Sequence, residues 1–163
     1  MDTTTVFLFD TKNLRALIAK LLTLSPNFVI EANSQINTSE WAFYATVGLV
    51  SSVKHGTQFG YEGNFAVATT LSSVTYSVQV IGKNAKLWAD RLQTALQLPS
   101  SKSAILAMGV GLLSISSVRN TTIGGDAGSE ERGQFDMVLS QSTVIKESAS
   151  FVKTAEIDLT VER

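Results

Sequence analysis

The sequence predicts an α+β fold in which a mixed, mostly antiparallel sheet carries two to three helices packed on one face. The apolar residues of the stretch 74–98 change from a two-residue period to the period of a helix, which indicates a strand followed by a helix. Further strand-like segments follow one another in the second half of the chain. The length of 163 residues is typical of one domain, residues 1–163.

The first elements are a helix and a short strand. Asp10 can cap a helix over residues 11–24, whose buried stripe is Leu14, Leu17, Ile18 and Leu21. Ser25 and Pro26 end this helix, since a proline pushes the preceding residue out of the helical region. The short apolar run at 28–32 then predicts a strand, and a polar connection follows at 33–40.

The middle of the chain predicts two strands and a helix. Residues 41–53 are rich in aromatic and β-branched side chains, and the glycine-rich stretch 54–64 reads as an exposed loop. Alternation over 65–81 predicts the next strand, which ends near Gly82. Asn84 is expected to cap the following helix through its side chain, and Pro99 to stop it.

The second half adds a short helix and more strands. Residues 100–108 predict a helix with a serine cap, and residues 112–119 and 131–146 predict strands. The segment 120–130 is expected to be a flexible loop or arm. Residues 155–161 alternate cleanly and predict a closing strand. The 131–146 strand is expected to outrun its neighbours, and such an unpaired edge suits contact with another subunit.

The composition bounds the function classes. The formal net charge is -1 and no basic cluster is visible, which disfavours a protein that grips nucleic acid. The chain has no cysteine, so disulfides and thiolate chemistry are excluded. No apolar run approaches the roughly 20 residues that span a bilayer, so no membrane partner is expected.

No residue pattern demands an enzyme. His55 is the only histidine, which excludes a catalytic triad or a multi-histidine metal site within one chain. Glu130, Glu131 and Asp126 adjoin a glycine-rich loop and read as solvated charge, whereas Asp136 lies within a strand and can pair with Arg119 or Arg132. No catalytic residue, cofactor or metal is expected. The candidate subunit-interface residues are Arg119, Asp126, Glu130, Glu131, Arg132 and Asp136.

Several segments, in order, resemble those of tailed-phage neck or tail terminator (tail-completion) proteins. They are the strand, glycine and Asn-Ala helix start of 77–85, the G-x-G at 109–111, the V-R-N at 118–120, and the E-R-x-Q-x-D start at 131–136, which reads ERGQFD. The sequence departs from the family pattern in lacking prolines before Tyr44 and in having Ser129 where an aromatic residue often stands. Both departures lie at loop edges.

The resemblance implies a structural virion protein, made in the host bacterial cytoplasm and located at the tail–neck junction. It implies a homo-oligomeric, hexameric ring that ends tail-tube polymerisation and docks to the neck or connector proteins. The tube, and a sheath if the tail contracts, would be partners, and DNA would pass through the lumen without specific binding. The alternatives are another head–tail connector component (a stopper or adaptor) and, less favoured, a small ligand-binding module that uses the aromatic residues of 41–44. An enzyme is the least favoured class.

Overall fold

The computed structural model describes residues 3–125 and 128–149. Its helices are α1 (Lys12–Leu21), α2 (Ala85–Leu96) and α3 (Pro99–Ala107), and a 3₁₀ turn spans Pro26–Phe28. Its strands are β1 (Thr3–Phe7), β2 (Val29–Glu31), β3 (Phe43–Glu62), β4 (Phe65–Gly82), β5 (Gly111–Ile115), β6 (Arg119–Asn120), β7 (Ile123–Gly125), β8 (Gly128–Glu130) and β9 (Arg132–Ser148). The predicted α+β class is confirmed.

One sheet organises the described chain. Its strand order is β1-β9-β4-β3-β2, and β5 and β6 also pair with β9 on the side away from β4. Only the pairing of β2 with β3 is parallel, so the sheet is mixed and mostly antiparallel as predicted. Strands β7 and β8 form a separate two-stranded sheet within the segment 120–130.

The core lies between one face of this sheet and the helices. Alternate residues of β4, namely Val74, Tyr76, Val78 and Val80, are buried there, as their spacing predicts. They meet the buried stripes of α1 and α2 and a buried row of β9 that includes Phe135 and Leu139. This two-layer arrangement is the one predicted from the stretch 74–98.

Helix α2 approaches β9 most closely at Gly133. A Cβ atom at this position would lie 2.7 Å from Ala89 Cβ and 2.8 Å from the Cα of Lys86. Gly133→Ala therefore has to push the helix off the strand, and we expect it to lower the free energy of unfolding by about 1–3 kcal/mol. Urea denaturation measures this change. Gly124→Ala is the control, because its added Cβ meets no heavy atom within 4 Å; equal losses in both variants would contradict the close packing of α2.

The expectation of a loop over 54–64 is wrong. Strand β3 continues to Glu62, and a two-residue turn of Gly63 and Asn64 leads directly into β4. Of the three glycines in this stretch, only Gly63 lies in the turn, with a φ of 60° that suits glycine. The other two, Gly56 and Gly60, lie within the β3–β4 ladder, which has a bulge between Lys54 and Gly56 and pairs without interruption from Gly56 to Glu62.

Two helix caps also differ from the expectations. Asn84 has a left-handed backbone (φ 59°) and its side chain makes no capping hydrogen bond; instead, its backbone N–H donates to Glu131 Oε2 at 2.7 Å. Helix α3 starts one residue after Leu98, with Pro99 in the first turn, so no serine caps it. Pro99 therefore lies between two helices and begins the second one. Proline is tolerated there because a backbone N–H in the first turn of a helix has no partner within the helix.

The unpaired edge lies on a different strand from the one expected. Strand β9 does not outrun its neighbour, because β4 pairs with it from Phe65 to Ile81. Strand β2 instead pairs with only three residues of β3, at 45–47. Beyond them, up to Glu62, no strand within residues 3–125 and 128–149 pairs with the outer side of β3. The predicted closing strand 155–161 lies outside the described residues.

Candidate subunit interface

The charged residues at the base of the sheet gather around the start of β9. Arg119 Nη2 lies 2.9 Å from Asp136 Oδ2, so the predicted pair of Asp136 with Arg119 is present. Arg132 forms an ion pair with Glu130. We call the set Arg119, Glu130, Glu131, Arg132 and Asp136 the basal charge cluster; Asp126, the sixth candidate, lies outside the described residues.

Glu131 has a structural role within this cluster. Its carboxylate accepts the Asn84 N–H, and its backbone oxygen accepts the Gly82 N–H at 3.0 Å. These two bonds hold the turn between β4 and α2 against the start of β9. Glu131 is therefore already engaged within the subunit, although its side chain is exposed.

The two ion pairs of the cluster remain accessible to a partner. The side chains of Arg119 and Asp136 are 54% and 28% exposed, and those of Arg132 and Glu130 are 25% and 45% exposed. Pairs in such contact with water stabilise a fold by about 0–1 kcal/mol each. The cluster can therefore exchange partners with a neighbouring protein at little expense to the fold.

The second candidate surface is the distal half of the β3–β4 hairpin, which the sequence prediction missed. Every residue from Leu49 to Phe65 is exposed, although this stretch carries Val53, Phe59 and Tyr61. We call residues 49–73 together with 140–148 of β9 the arm. The signal that could have revealed it is Gly63-Asn64 between two alternating segments, which is a hairpin pattern.

The arm and the basal charge cluster lie at opposite ends of the sheet. Strand β4 runs from Phe65 at the tip of the arm to Gly82 beside the cluster, and its 18 residues span roughly 55 Å. At one end the exposed surface combines large apolar side chains with polar ones, and at the other end it carries the ion pairs of the basal charge cluster. The described chain thus presents two chemically different surfaces far apart on one sheet.

The aromatic residues near the start of β3 pack against one another. The Trp41 ring meets Phe28 at 5.0 Å and Tyr44 at 5.6 Å between centroids, both nearly edge-to-face. Tyr44 is buried and its hydroxyl accepts a hydrogen bond from Thr38 at 3.2 Å. This geometry supports structural packing and does not form the flat exposed floor that a ligand-binding module would use.

Few polar groups of the described chain have the environment of a reactive site. Burial raises the pKa of the Tyr76 phenol, which donates to Gln141 Oε1 at 3.3 Å. His55 lies exposed on β3, not in the expected loop, and bonds to Ser73 Oγ. Among residues 3–125 and 128–149, no group of three or more His, Cys, Asp or Glu side chains is placed to hold a metal ion.

The helices of the described chain are short. The longest, α2, has 12 residues. None of them combines the length and the hydrophobicity that a membrane span requires.

Comparisons with known proteins give one family match. The model of a family described as phage neck terminator protein matches residues 11–163. No curated protein matches the chain. Among solved structures, a chain from the virion of a native gene transfer agent particle is 15% identical, with coverage of 83% of this chain and 90% of that chain and a TM-score of 0.25.

Proposed function

The chain belongs to the phage neck terminator protein family, a family of structural virion proteins, and from this premise we propose that it forms a closed ring of identical subunits. The ring, of six copies, would lie at the head-proximal end of the tail, where the tail meets the neck. It would end polymerisation of the tail tube and present a docking surface to the neck or connector proteins. Its action is mechanical, and no side chain makes or breaks a bond.

The observation that carries this proposal is the exposed arm. A subunit that worked alone would leave a long hairpin with exposed valine, phenylalanine and leucine side chains in water, and exposed apolar surfaces of this kind mark protein contacts. Along residues 48–60 of β3, no strand of the described residues pairs with the outer side, and an edge of this kind is a template for pairing with another chain. Both features are explained if a neighbouring subunit covers the arm.

The placement of the two surfaces supports a ring and not an isologous dimer. A ring is built from heterologous contacts, in which one surface of a subunit meets a different surface of the next. The arm and the basal charge cluster are two different surfaces at opposite ends of the sheet. We assign the cluster residues Arg119, Glu130, Glu131, Arg132 and Asp136, with Asp126, to contacts with the next subunit or with the neck.

The lumen of such a ring would let DNA pass without holding it. Proteins that bind DNA tightly neutralise many phosphates with clustered lysine and arginine. This chain has 13 basic and 14 acidic side chains, and three of its five arginines lie in ion pairs of the described residues. Low affinity for the phosphate backbone suits a conduit.

Sedimentation velocity and native mass measurement of the purified full chain test the proposal. We expect a discrete particle of six 17.5 kDa chains, about 105 kDa, with a central hole in negative-stain images. When tail-tube subunits are supplied, rings should cap one end of each tube and stop its growth. A protein that stays monomeric at all concentrations, alone and with tube subunits, would refute the ring; a ring that binds only neck proteins and leaves tube length unchanged would favour a stopper or adaptor.

A further inference from the structure

Strand β5 forms an edge of the sheet on the side opposite to β3. It pairs with residues 137–140 of β9, and no strand within residues 3–125 and 128–149 pairs with its other side. At the base of the arm, residues 49–53 of β3 lie beyond the last residue with which β2 pairs, and no other strand of the described chain pairs with their outer side. The sheet thus has two edges whose outward N–H and C=O groups can bind one more strand.

The two edges lie at the same level of the sheet. Leu112 of β5 pairs with Leu139 of β9. Leu139 pairs in turn with Val74 of β4, and Val74 pairs with Ser52 of β3. The other residues of β5 follow the same path to residues 49–53 of β3. Strand β5 and residues 49–53 are therefore the two ends of one row of four strands, β5-β9-β4-β3.

The strand directions of this row allow it to continue into a second copy. All three pairings in the row are antiparallel, so β5 and β3 run in opposite directions. Copies related by rotation about an axis parallel to the strands keep the helices on the same side of the sheet. The β5 strand of one copy would then meet the β3 strand of the next as an antiparallel partner, through two different edges, as a heterologous contact requires.

Both edges carry exposed apolar side chains. Leu113, the extra residue of a bulge in β5, is 57% exposed. Val50, the extra residue of a bulge in β3, is 59% exposed, and Val53 is 57% exposed. A β5 strand added to residues 49–53 would remove these side chains from water together, because they lie at the same level of the row.

Neither edge carries the charge or proline that protects many edge strands from pairing. Residues 49–53 read LVSSV, and β5 reads GLLSI. Lysine, proline and inward-pointing charges are the usual residues that prevent contact at such edges. Each edge has one bulge, and bulges increase the right-handed twist of both strands in the same sense.

The basal charge cluster continues the β5 edge. Strand β6 pairs Arg119 with Gln134, on the same side of β9 as β5. Between the two strands, the Ser116 N–H donates to the backbone oxygen of Asp136 at 2.8 Å. A neighbour that pairs with β5 would therefore also lie next to the Arg119–Asp136 ion pair.

We propose that β5 of one subunit pairs antiparallel with residues 49–53 of β3 in the next subunit, with Leu113 packed near Val50 and Val53. The inference rests on the proposed ring and names the contact that closes it. Backbone hydrogen bonds supply the affinity, and the side chains fix which faces of the two strands match.

The absence of cysteine permits a direct cross-linking test. The full chain carries Ser114→Cys on β5 together with Ser51→Cys on β3. Val50→Cys and Val53→Cys replace Ser51→Cys in turn, which allows for a shifted register. Within one subunit the two strands are three strand spacings apart, about 14 Å, and a disulfide cannot bridge more than roughly 7 Å between Cα atoms. A disulfide between the two positions thus joins two chains.

Under mild oxidation we expect at least one of these three variants to give a ladder of covalent oligomers of up to six 17.5 kDa chains. Ser52→Cys with Ser114→Cys is the matched control. Ser52 is an exposed serine at the same edge, but it pairs with Val74 on the helix side of the sheet, whereas Ser51 pairs with Thr75 on the other side. The control should therefore give at least about a tenfold lower yield than the reactive variant. Equal yields would indicate random collision and overturn the contact.

Three further outcomes would each overturn a defined claim. Efficient cross-linking of a chain that carries Ser51→Cys or Val53→Cys alone would mean that two β3 edges meet in an isologous dimer, which contradicts the pairing with β5. Rings that sediment normally but give no ladder with any of the three variants would refute the strand contact and leave the ring intact. Protein that forms no ring before oxidation would refute the proposed function itself.

Discussion

Replacing Phe59 with serine is expected to raise the protein concentration at which rings form by at least about 30-fold. The isolated subunit should keep its fold. An aromatic side chain at the centre of a contact typically contributes 2 kcal/mol or more to association, and each 1.4 kcal/mol is a tenfold change in affinity. Phe59 is 79% exposed in the subunit, so its truncation removes little burial from the subunit itself. A sedimentation series over protein concentration measures the shift.

Gln58→Ser is the matched control for this prediction. Gln58 is the preceding residue on β3, pairs with Thr69, and points to the opposite face of the sheet. It is also exposed, so the two variants differ mainly in which face of the arm they change. Equal assembly of Phe59→Ser and Gln58→Ser would mean that the helix-side face of the arm takes no part in the contact. Cooperative unfolding of both single variants should match that of the native chain.

The elements predicted most accurately from the sequence are those that pack against neighbours close in the chain. The stretch 74–98 carries a strand, a glycine and a helix whose apolar residues face each other, so periodicity alone locates β4 and α2. The sequence also indicated an ion pair of Asp136 with Arg119 or Arg132, because Asp136 is a charge within a predicted strand, and the structure pairs it with Arg119. In these places the local pattern and the tertiary contact agree.

The elements that were missed depend on contacts distant in sequence. Strand β1 reads TTTVF and is mostly exposed, so it lacks a buried face, and only its pairing with residues 144–147 of β9 defines it. The left-handed Asn84 follows from the Glu131 carboxylate, which lies 47 residues away. In the arm, the three glycines indicate a loop, but cross-strand pairing with 65–72 keeps 54–62 extended. Propensity carries no information about a partner strand that lies elsewhere.

The candidate interface was predicted in part for the same reason. The charges of the basal cluster stand out in the sequence because charge within a low-charge chain is conspicuous. The arm does not stand out, because valines and aromatic residues are also typical of a buried strand, and only the fold shows that no helix of residues 3–125 and 128–149 covers them. Whether an apolar strand is exposed depends on which other elements pack against it, and its own sequence does not contain that information.

Phe135→Ala is expected to lower the free energy of unfolding by about 3–5 kcal/mol, the usual range for truncating a buried phenylalanine. Phe135 is fully buried on β9, pairs with Val78 of β4, and belongs to the cluster beneath α2. A domain of this size is stable by about 5–15 kcal/mol, so the variant would lose a large fraction of its stability. The shift in the urea midpoint measures the loss.

Ile145→Ala is the matched control, because Ile145 lies on the same strand and faces the same side of the sheet but is 41% exposed on the arm. We expect it to lose less than about 1.5 kcal/mol in the monomer, since only part of its side chain is removed from water. Both variants must be compared below the concentration at which rings form, because assembly would add stability to the folded state alone. If Ile145→Ala were as damaging as Phe135→Ala in the monomer, the arm would belong to the core of the subunit and could not be the surface that a neighbour covers.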